Sequence, residues 1–177
     1  MTEPLLVVCG SRRDPSRTRA LTDHVTEYAR ESGLDVETLD LREYPMELFD
    51  GRELSEYDDP TQHAVESFLD AEQYVIASPV YFGGISGALK NLIDHIPYET
   101  FQKSSRTAGL VMNGRDKRHR HVLDSQLRAT MVYLGVDVPT TSVFATEADF
   151  DEWRLTTPAV REQIETLVDD TRALHDR

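Results

Sequence analysis

Residues 5–25 read LLVVCGSRRDPSRTRALTDHV, and this stretch decides the fold. Leu5 to Cys9 is an unbroken apolar run, the pattern of a strand covered on both faces. Gly10 stops it, and a loop of small, polar and basic residues follows. Ser16 is a favoured N-cap residue. Ala20, Leu21, Val25, Tyr28 and Ala29 then recur at helical spacing, and Gly33 supplies the stop. A buried strand, a polar turn and an amphipathic helix together form the first half of a βαβ unit.

The same alternation repeats down the chain. Val36 to Leu41 predicts a strand, and residues 42–58 keep no period and predict a long surface excursion. Asp59 and Pro60 open a second helix in the favoured cap and first-turn order, with Ala64, Val65, Phe68 and Leu69 as its buried stripe. QYVIAS at 73–78 predicts a central strand. Leu89, Leu92, Ile93 and Ile96 mark a helix over 86–96 that ends at Pro97, and TAGLVMN at 107–113 predicts a fourth strand. Val122 or Leu123, Leu127, Met131 and Leu134 line a long helix stopped by Gly135. A last strand is predicted near 138–144. A terminal helix after Pro158 buries Val160, Ile164, Leu167, Val168 and Leu174. Five alternations of strand and helix predict a parallel sheet with helices on both faces, and 177 residues suit one domain, 1–177.

The formal net charge is −13. A phosphate backbone repels such a surface, which argues against nucleic acid as a partner. No apolar run approaches membrane-spanning length, and the first residues carry neither a basic n-region nor a small-residue cleavage site. The expectation is a soluble, cytoplasmic protein with no membrane partner. Cys9 is the single cysteine, so an internal disulfide or a cysteine metal cluster is excluded. The cations are arginines except Lys90, Lys103 and Lys117. An acidic, lysine-poor surface suits a halophilic protein, whose activity and melting temperature would rise with KCl; a flat salt profile would contradict this.

Ligands of open parallel sheets sit beyond the carboxyl ends of the strands. Three loops are placed at that edge: 10–16, 79–85 and 113–119. The first leads into a helix N-terminus, where unpaired amides and the helix dipole favour an anion. Ser11, Ser16 and Thr18 offer hydroxyls, and Arg13 or Arg17 a charge-assisted pair of bonds. A phosphate monoester fits this chemistry. The plainer alternative is that Ser16 caps the helix and the arginines are solvated. The loop is neither a Walker A loop nor G-x-G-x-x-G, because Gly10 stands alone. A C-x5-R phosphatase loop needs arginine where Pro15 stands, so Cys9 reads as a small buried residue.

In the second loop, Ser78-Pro79 ends the strand, Tyr81 and Phe82 supply aromatic surface, and Gly83 and Gly84 bare the backbone. A planar heterocycle suits this composition, as does a tight turn with aromatic packing. The third loop, Asn113-Gly114 followed by RDKRHRH, is a basic run in an acidic chain. Arg115 or Lys117 can face a ligand's negative charge, or the run is a solvated helix start. His119 and His121 lie here without an acidic cluster to complete a metal site.

The segment 78–95, SPVYFGGISGALKNLIDH, resembles the S/T-P-x-Y-x-G-x-x-x-x-x-L-K-N-x-I/L-D signature of the NADPH-dependent FMN reductase family. Pro79, Tyr81, Gly83, Leu89, Lys90, Asn91, Ile93 and Asp94 match. Gly10, Ser11, Arg13 and Ser16 are similar to that family's G-S-x-R-x-x-S loop, and residues 127–139 resemble its later helix and strand.

The resemblance implies a flavodoxin-like three-layer sandwich with a five-stranded parallel sheet in the order 2-1-3-4-5. It implies FMN as cofactor and NADPH or NADH as reductant. Ser11, Arg13, Ser16, Arg17 and Thr18 would hold the phosphate. Pro79, Val80, Tyr81, Phe82 and Gly83 would border the isoalloxazine, with Asn113, Gly114 and Arg115 beside it. Hydride would pass from nicotinamide to flavin N5 and on to a small-molecule electron acceptor: a quinone, free flavin or azo dye. No side chain need act as nucleophile, because the cofactor carries the chemistry. A homodimer is also implied, with Tyr98 or Phe101 reaching the partner's site. Phe82 departs from the asparagine of many members. The competing class is a flavodoxin-like electron carrier that oxidises no nicotinamide itself, although the T/S-x-T-G-x-T loop of flavodoxins is absent.

Overall fold

A computed structural model describes residues 4–102 and 105–177, the side chain of Thr100 excepted. Five parallel strands form the sheet: β1 (Leu5–Cys9), β2 (Val36–Asp40), β3 (Gln73–Pro79), β4 (Thr107–Gly114) and β5 (Val143–Thr146). Their order is β2-β1-β3-β4-β5, as the resemblance implied. Alternation within the central strands creates two cores. Leu6, Val8, Tyr74, Ile76, Leu110 and Met112 face one side; Leu5, Val7, Val75, Ala77 and Val111 face the other. Both sets are apolar, which is why the strands read as continuous hydrophobic runs.

Helices cover each face. α1 (Arg17–Glu31) and α6 (Pro158–His175) bury Leu21, Val25, Ala29, Val160, Ile164, Leu167 and Val168 on one side. α2 (Asp59–Asp70), α3 (Gly87–Asp94) and the segment 122–134 bury Val65, Phe68, Leu89, Leu92, Leu127 and Met131 on the other. Among the described residues no helix is long and apolar enough to cross a membrane.

Several expectations are corrected. Asp58, not Asp59, caps α2, its carboxylate accepting the Thr61 N–H at 3.1 Å. The expected helix through 122–134 follows a 3-10 turn at 117–120 and is not a uniform α-helix: a π-helical stretch at 123–128 precedes the short α5 (Ala129–Tyr133). The wider π turn turns both Val122 and Leu123 inward, settling which of them is buried. The fifth strand is shorter and later than 138–144, since Pro139 has no N–H to give a ladder. In α6 Thr171 is buried where the helix crosses Gly109, and Leu174 is only partly covered.

A short α4 (Tyr98–Phe101) follows α3. Phe101 cannot reach a partner subunit. It is buried against Phe68, ring centroids 5.8 Å apart, beneath the guanidinium of Arg106 at 4.2 Å. Arg106 is itself buried and donates to the carbonyls of Leu69 at 2.9 Å, Ala71 at 3.2 Å and Phe101. It thereby satisfies carbonyls left open at the C-terminus of α2.

The excursion 42–58 packs over α3. Asn91 fixes it from both sides of its amide, donating to Glu47 O at 2.8 Å and accepting the Phe49 N–H at 3.0 Å. Lys90 and Asp94 form an i, i+4 ion pair on the exposed face of α3. These signature residues therefore brace the scaffold.

Candidate functional site

β1 and β3 end side by side, and the chain leaves them in opposite directions, so a crevice opens between their carboxyl ends. Gly10 makes the crevice narrow. Its N–H donates to Ala77 O at 2.8 Å and its carbonyl accepts the Ser86 hydroxyl at 2.6 Å. A Cβ here would lie 2.7 Å from Ala77 O and 3.2 Å from Leu89 Cβ, so no larger residue fits. Ser86 also caps α3 through the Leu89 N–H, and its own N–H donates to Ser78 Oγ at 2.9 Å. The first two loops are thus bound to each other beneath the site.

A cleft of about 490 Å³ lies above them, open to solvent. Ser11, Arg13, Pro15, Ser16, Arg17 and Thr18 form one wall; Pro79, Val80 and Tyr81 form another; Asn113, Gly114 and Trp153 complete it. All three loops singled out from sequence meet here. Phe82, Gly83 and Arg115 stand outside the lining. Arg115 and Lys117 are exposed.

The first wall is chemically unusual. No acid occupies the first turn of α1, where the dipole favours one, and Arg17 and Arg19 stand there instead. The Ser16 hydroxyl oxygen accepts the Arg19 N–H at 3.3 Å, and Ser11 Oγ accepts the Arg13 N–H at 3.3 Å. Each hydroxyl keeps its proton to donate. The Arg17 and Thr18 amides, at the first positions of the helix, have no intrahelical acceptor. The one acid of the loop, Asp14, is paired with Arg42 at 2.5 Å. Arg19 is occupied below the cleft, its Nε donating to Asp40 at 2.7 Å.

Thr18 and Arg17 have partners of their own. The buried Thr18 hydroxyl donates to Asn113 Oδ1 at 2.7 Å and ties α1 to the end of β4. Arg17 pairs with Glu147 at 2.9 Å and donates from Nε to Glu152 O at 3.1 Å. Arg13 makes no ion pair among the described residues, and its guanidinium lies 5.9 Å from the centroid of the Trp153 ring. Cys9 sits under the loop with its thiol pKa pushed up by burial, the opposite of what a nucleophile requires.

The second wall is a tight hairpin turn. Tyr81 and Gly84 exchange backbone hydrogen bonds at 3.0 Å, and both central residues have positive φ, 48° at Phe82 and 80° at Gly83. This is a type I′ pattern. It accounts for Gly83 and leaves Phe82 in a backbone region that few large residues adopt, with its ring wholly exposed. Val80 N–H donates to Asn113 O at 2.8 Å, which joins the second loop to the third.

Sequence reading missed Trp153 and Pro15. Trp153 belongs to a hairpin of β6 (Phe150–Asp151) and β7 (Arg154–Leu155), whose turn uses Glu152 at φ 54°. No glycine or asparagine marks that turn. The available signal was the single tryptophan of the chain set in a polar stretch.

An open five-stranded parallel sheet in this order, covered by helices on both faces, defines a flavodoxin-like fold. The chain belongs to the NADPH-dependent FMN reductase family, whose model matches residues 4–151. It is 35% identical over 143 residues to an NAD(P)H-dependent FAD/FMN reductase of Geobacillus thermodenitrificans, covering 80% of this chain and 76% of that protein. It is 32% identical over 139 residues to an FMN-dependent NADPH-azoreductase of Staphylococcus saprophyticus, covering 76% and 73%. Among solved structures a flavodoxin from the domain Archaea superposes with a TM-score of 0.68 at 9% identity, over 99% of this chain and 100% of that one.

Proposed function

We propose that the protein is an FMN-dependent NAD(P)H oxidoreductase acting on a small-molecule electron acceptor. The observation that carries this reading is the convergence of the three loops on one cleft, in a chain of the FMN reductase family. Bound FMN supplies the redox chemistry, taking up and passing on two electrons at its ring.

The chain's own residues bind and orient. Ser11 and Ser16 hydroxyls, the first amides of α1 and Arg13 receive the phosphate, while Arg17 and Thr18 hold the wall in place. These groups fit a dianion: donors converge at a helix start, and the local carboxylates are already paired. Pro79, Val80 and Tyr81 form the floor for the ring. Phe82 and Gly83 form its rim, with Asn113 and Gly114 opposite. Arg115 and Lys117 are exposed cations suited to the phosphates of a dinucleotide.

Two copies pair across the surface around α4 and α5. Val132 and Tyr133 are exposed there, and Tyr133 lies 5.2 Å from the ring of Tyr98. Relatives that are FMN reductases and azoreductases make flavin and azo compounds the first acceptors to try. Anaerobic mixing of the FMN-loaded protein with NADPH tests the reading. Rapid bleaching of the flavin absorbance is expected. A spectrum that stays oxidised until a separate reductase is added would identify an electron carrier instead.

A further inference from the structure

The arginines of the first wall are held in different ways. Arg17 has a carboxylate partner, Glu147, which cancels its charge. Arg13 has none among the described residues; it leans on Trp153. Arg17 stacks on the same indole, 5.2 Å from its centroid, and lies 5.8 Å from Phe150. The hairpin 150–155 therefore holds Arg17 by the Glu152 carbonyl and by ring faces, and Arg13 by the Trp153 face, while Glu147, just before the hairpin, supplies the carboxylate to Arg17.

An indole face does something a carboxylate cannot. It orients a cation through the ring quadrupole and leaves its charge and its N–H donors available. A carboxylate at position 153 would occupy those donors and repel an incoming dianion. Trp153 also lines the cleft itself, beside Ser11, Arg13 and Ser16.

We infer that Trp153 is a positioning residue that holds Arg13 at the phosphate end of the cleft, so that the 150–155 hairpin sets the preference for a phosphorylated over an unphosphorylated flavin. The inference rests on the proposed FMN site. It adds an element largely beyond residue 151, where the family match ends.

Dissociation constants of apoprotein for FMN and for riboflavin, measured side by side by flavin fluorescence, test it. Trp153→Leu keeps apolar bulk and removes the π face. It is expected to weaken FMN about fivefold and to leave riboflavin unchanged. Trp153→Phe, which keeps a face, recovers most of the loss. Arg13→Gln reproduces the loss, and adding Trp153→Leu to it weakens FMN no further, because the two residues act as a unit. Equal weakening of FMN and riboflavin in Trp153→Leu, or losses that add to those of Arg13→Gln, would overturn the role of Trp153 while leaving the FMN site intact. Wild-type protein that bound neither flavin would remove both.

Discussion

Gly10→Ala tests the geometry that joins the two central loops. The added methyl would sit 2.7 Å from Ala77 O, 3.2 Å from Leu89 Cβ and 3.3 Å from Ser86 Oγ. Ala77 O cannot retreat, since it belongs to β3 in the centre of the sheet and accepts the Gly10 N–H. β1 must move instead, and its end carries the loop proposed to receive the phosphate. Forcing one carbon into a packed core costs about 1–3 kcal/mol. Weakening the Ser86–Gly10 hydrogen bond adds about 1 kcal/mol. A loss near 3 kcal/mol should lower the melting temperature by about 6–12 °C in a chain of this size. FMN affinity should fall about fivefold, the worth of one misdirected hydrogen bond. Thermal circular dichroism and an FMN titration read the two effects. A melting temperature within about 1 °C of wild type, with unchanged affinity, would refute the claim that this contact sets the crevice.

Other perturbations probe separate parts of the account. Phe82→Asn should raise the melting temperature by about 2–4 °C, because asparagine tolerates the positive φ that costs phenylalanine about 1 kcal/mol; a lower melting temperature would show that the exposed ring is held by packing. Arg106→Met removes the guanidinium donor from the carbonyls of Leu69 and Phe101, while Ala71 O keeps the Tyr74 hydroxyl at 2.5 Å, and should cost about 3 kcal/mol in urea unfolding; a change under about 1 kcal/mol would mean that the arginine does not cap α2. Asp50 accepts hydrogen bonds from the Tyr57 hydroxyl at 2.7 Å and from Arg52, which lower its pKa from 3.8 to about 2. Its contribution is therefore complete above its ordinary value of 3.8 and is lost as pH falls towards about 2. The difference in urea midpoint between wild type and Asp50→Asn should shrink over that window, and a constant difference would contradict the assignment.

The central layers were legible because β1 and β3 are buried on both faces and leave unbroken apolar runs. The candidate cleft drew attention for the opposite reason. Ser11, Arg13, Ser16 and Arg17 form a polar, basic stretch between a buried strand and a helix, and the structure brings them to one cleft. What escaped the sequence was set by geometry without a composition signal. The turn at Glu152 takes a positive φ with no glycine, so the hairpin that brings Trp153 to the cleft looked like loop. The π turn at 123–128 cannot be read from a 3.6-residue period, which is why Val122 and Leu123 looked like alternatives. Phe101 looked like a partner contact because its apolar character said nothing of Arg106 above it. The division of labour between Arg13 and Arg17 depends on Glu147, about 130 residues away in the chain.

Titration calorimetry of the apoprotein with FMN, and separately with riboflavin, tests the phosphate-holding mouth most directly. Binding of FMN at or below about micromolar is expected, at least about tenfold tighter than riboflavin, with inorganic phosphate competing. FMN that gave no heat at micromolar concentrations, or that bound no more tightly than riboflavin, would contradict the account.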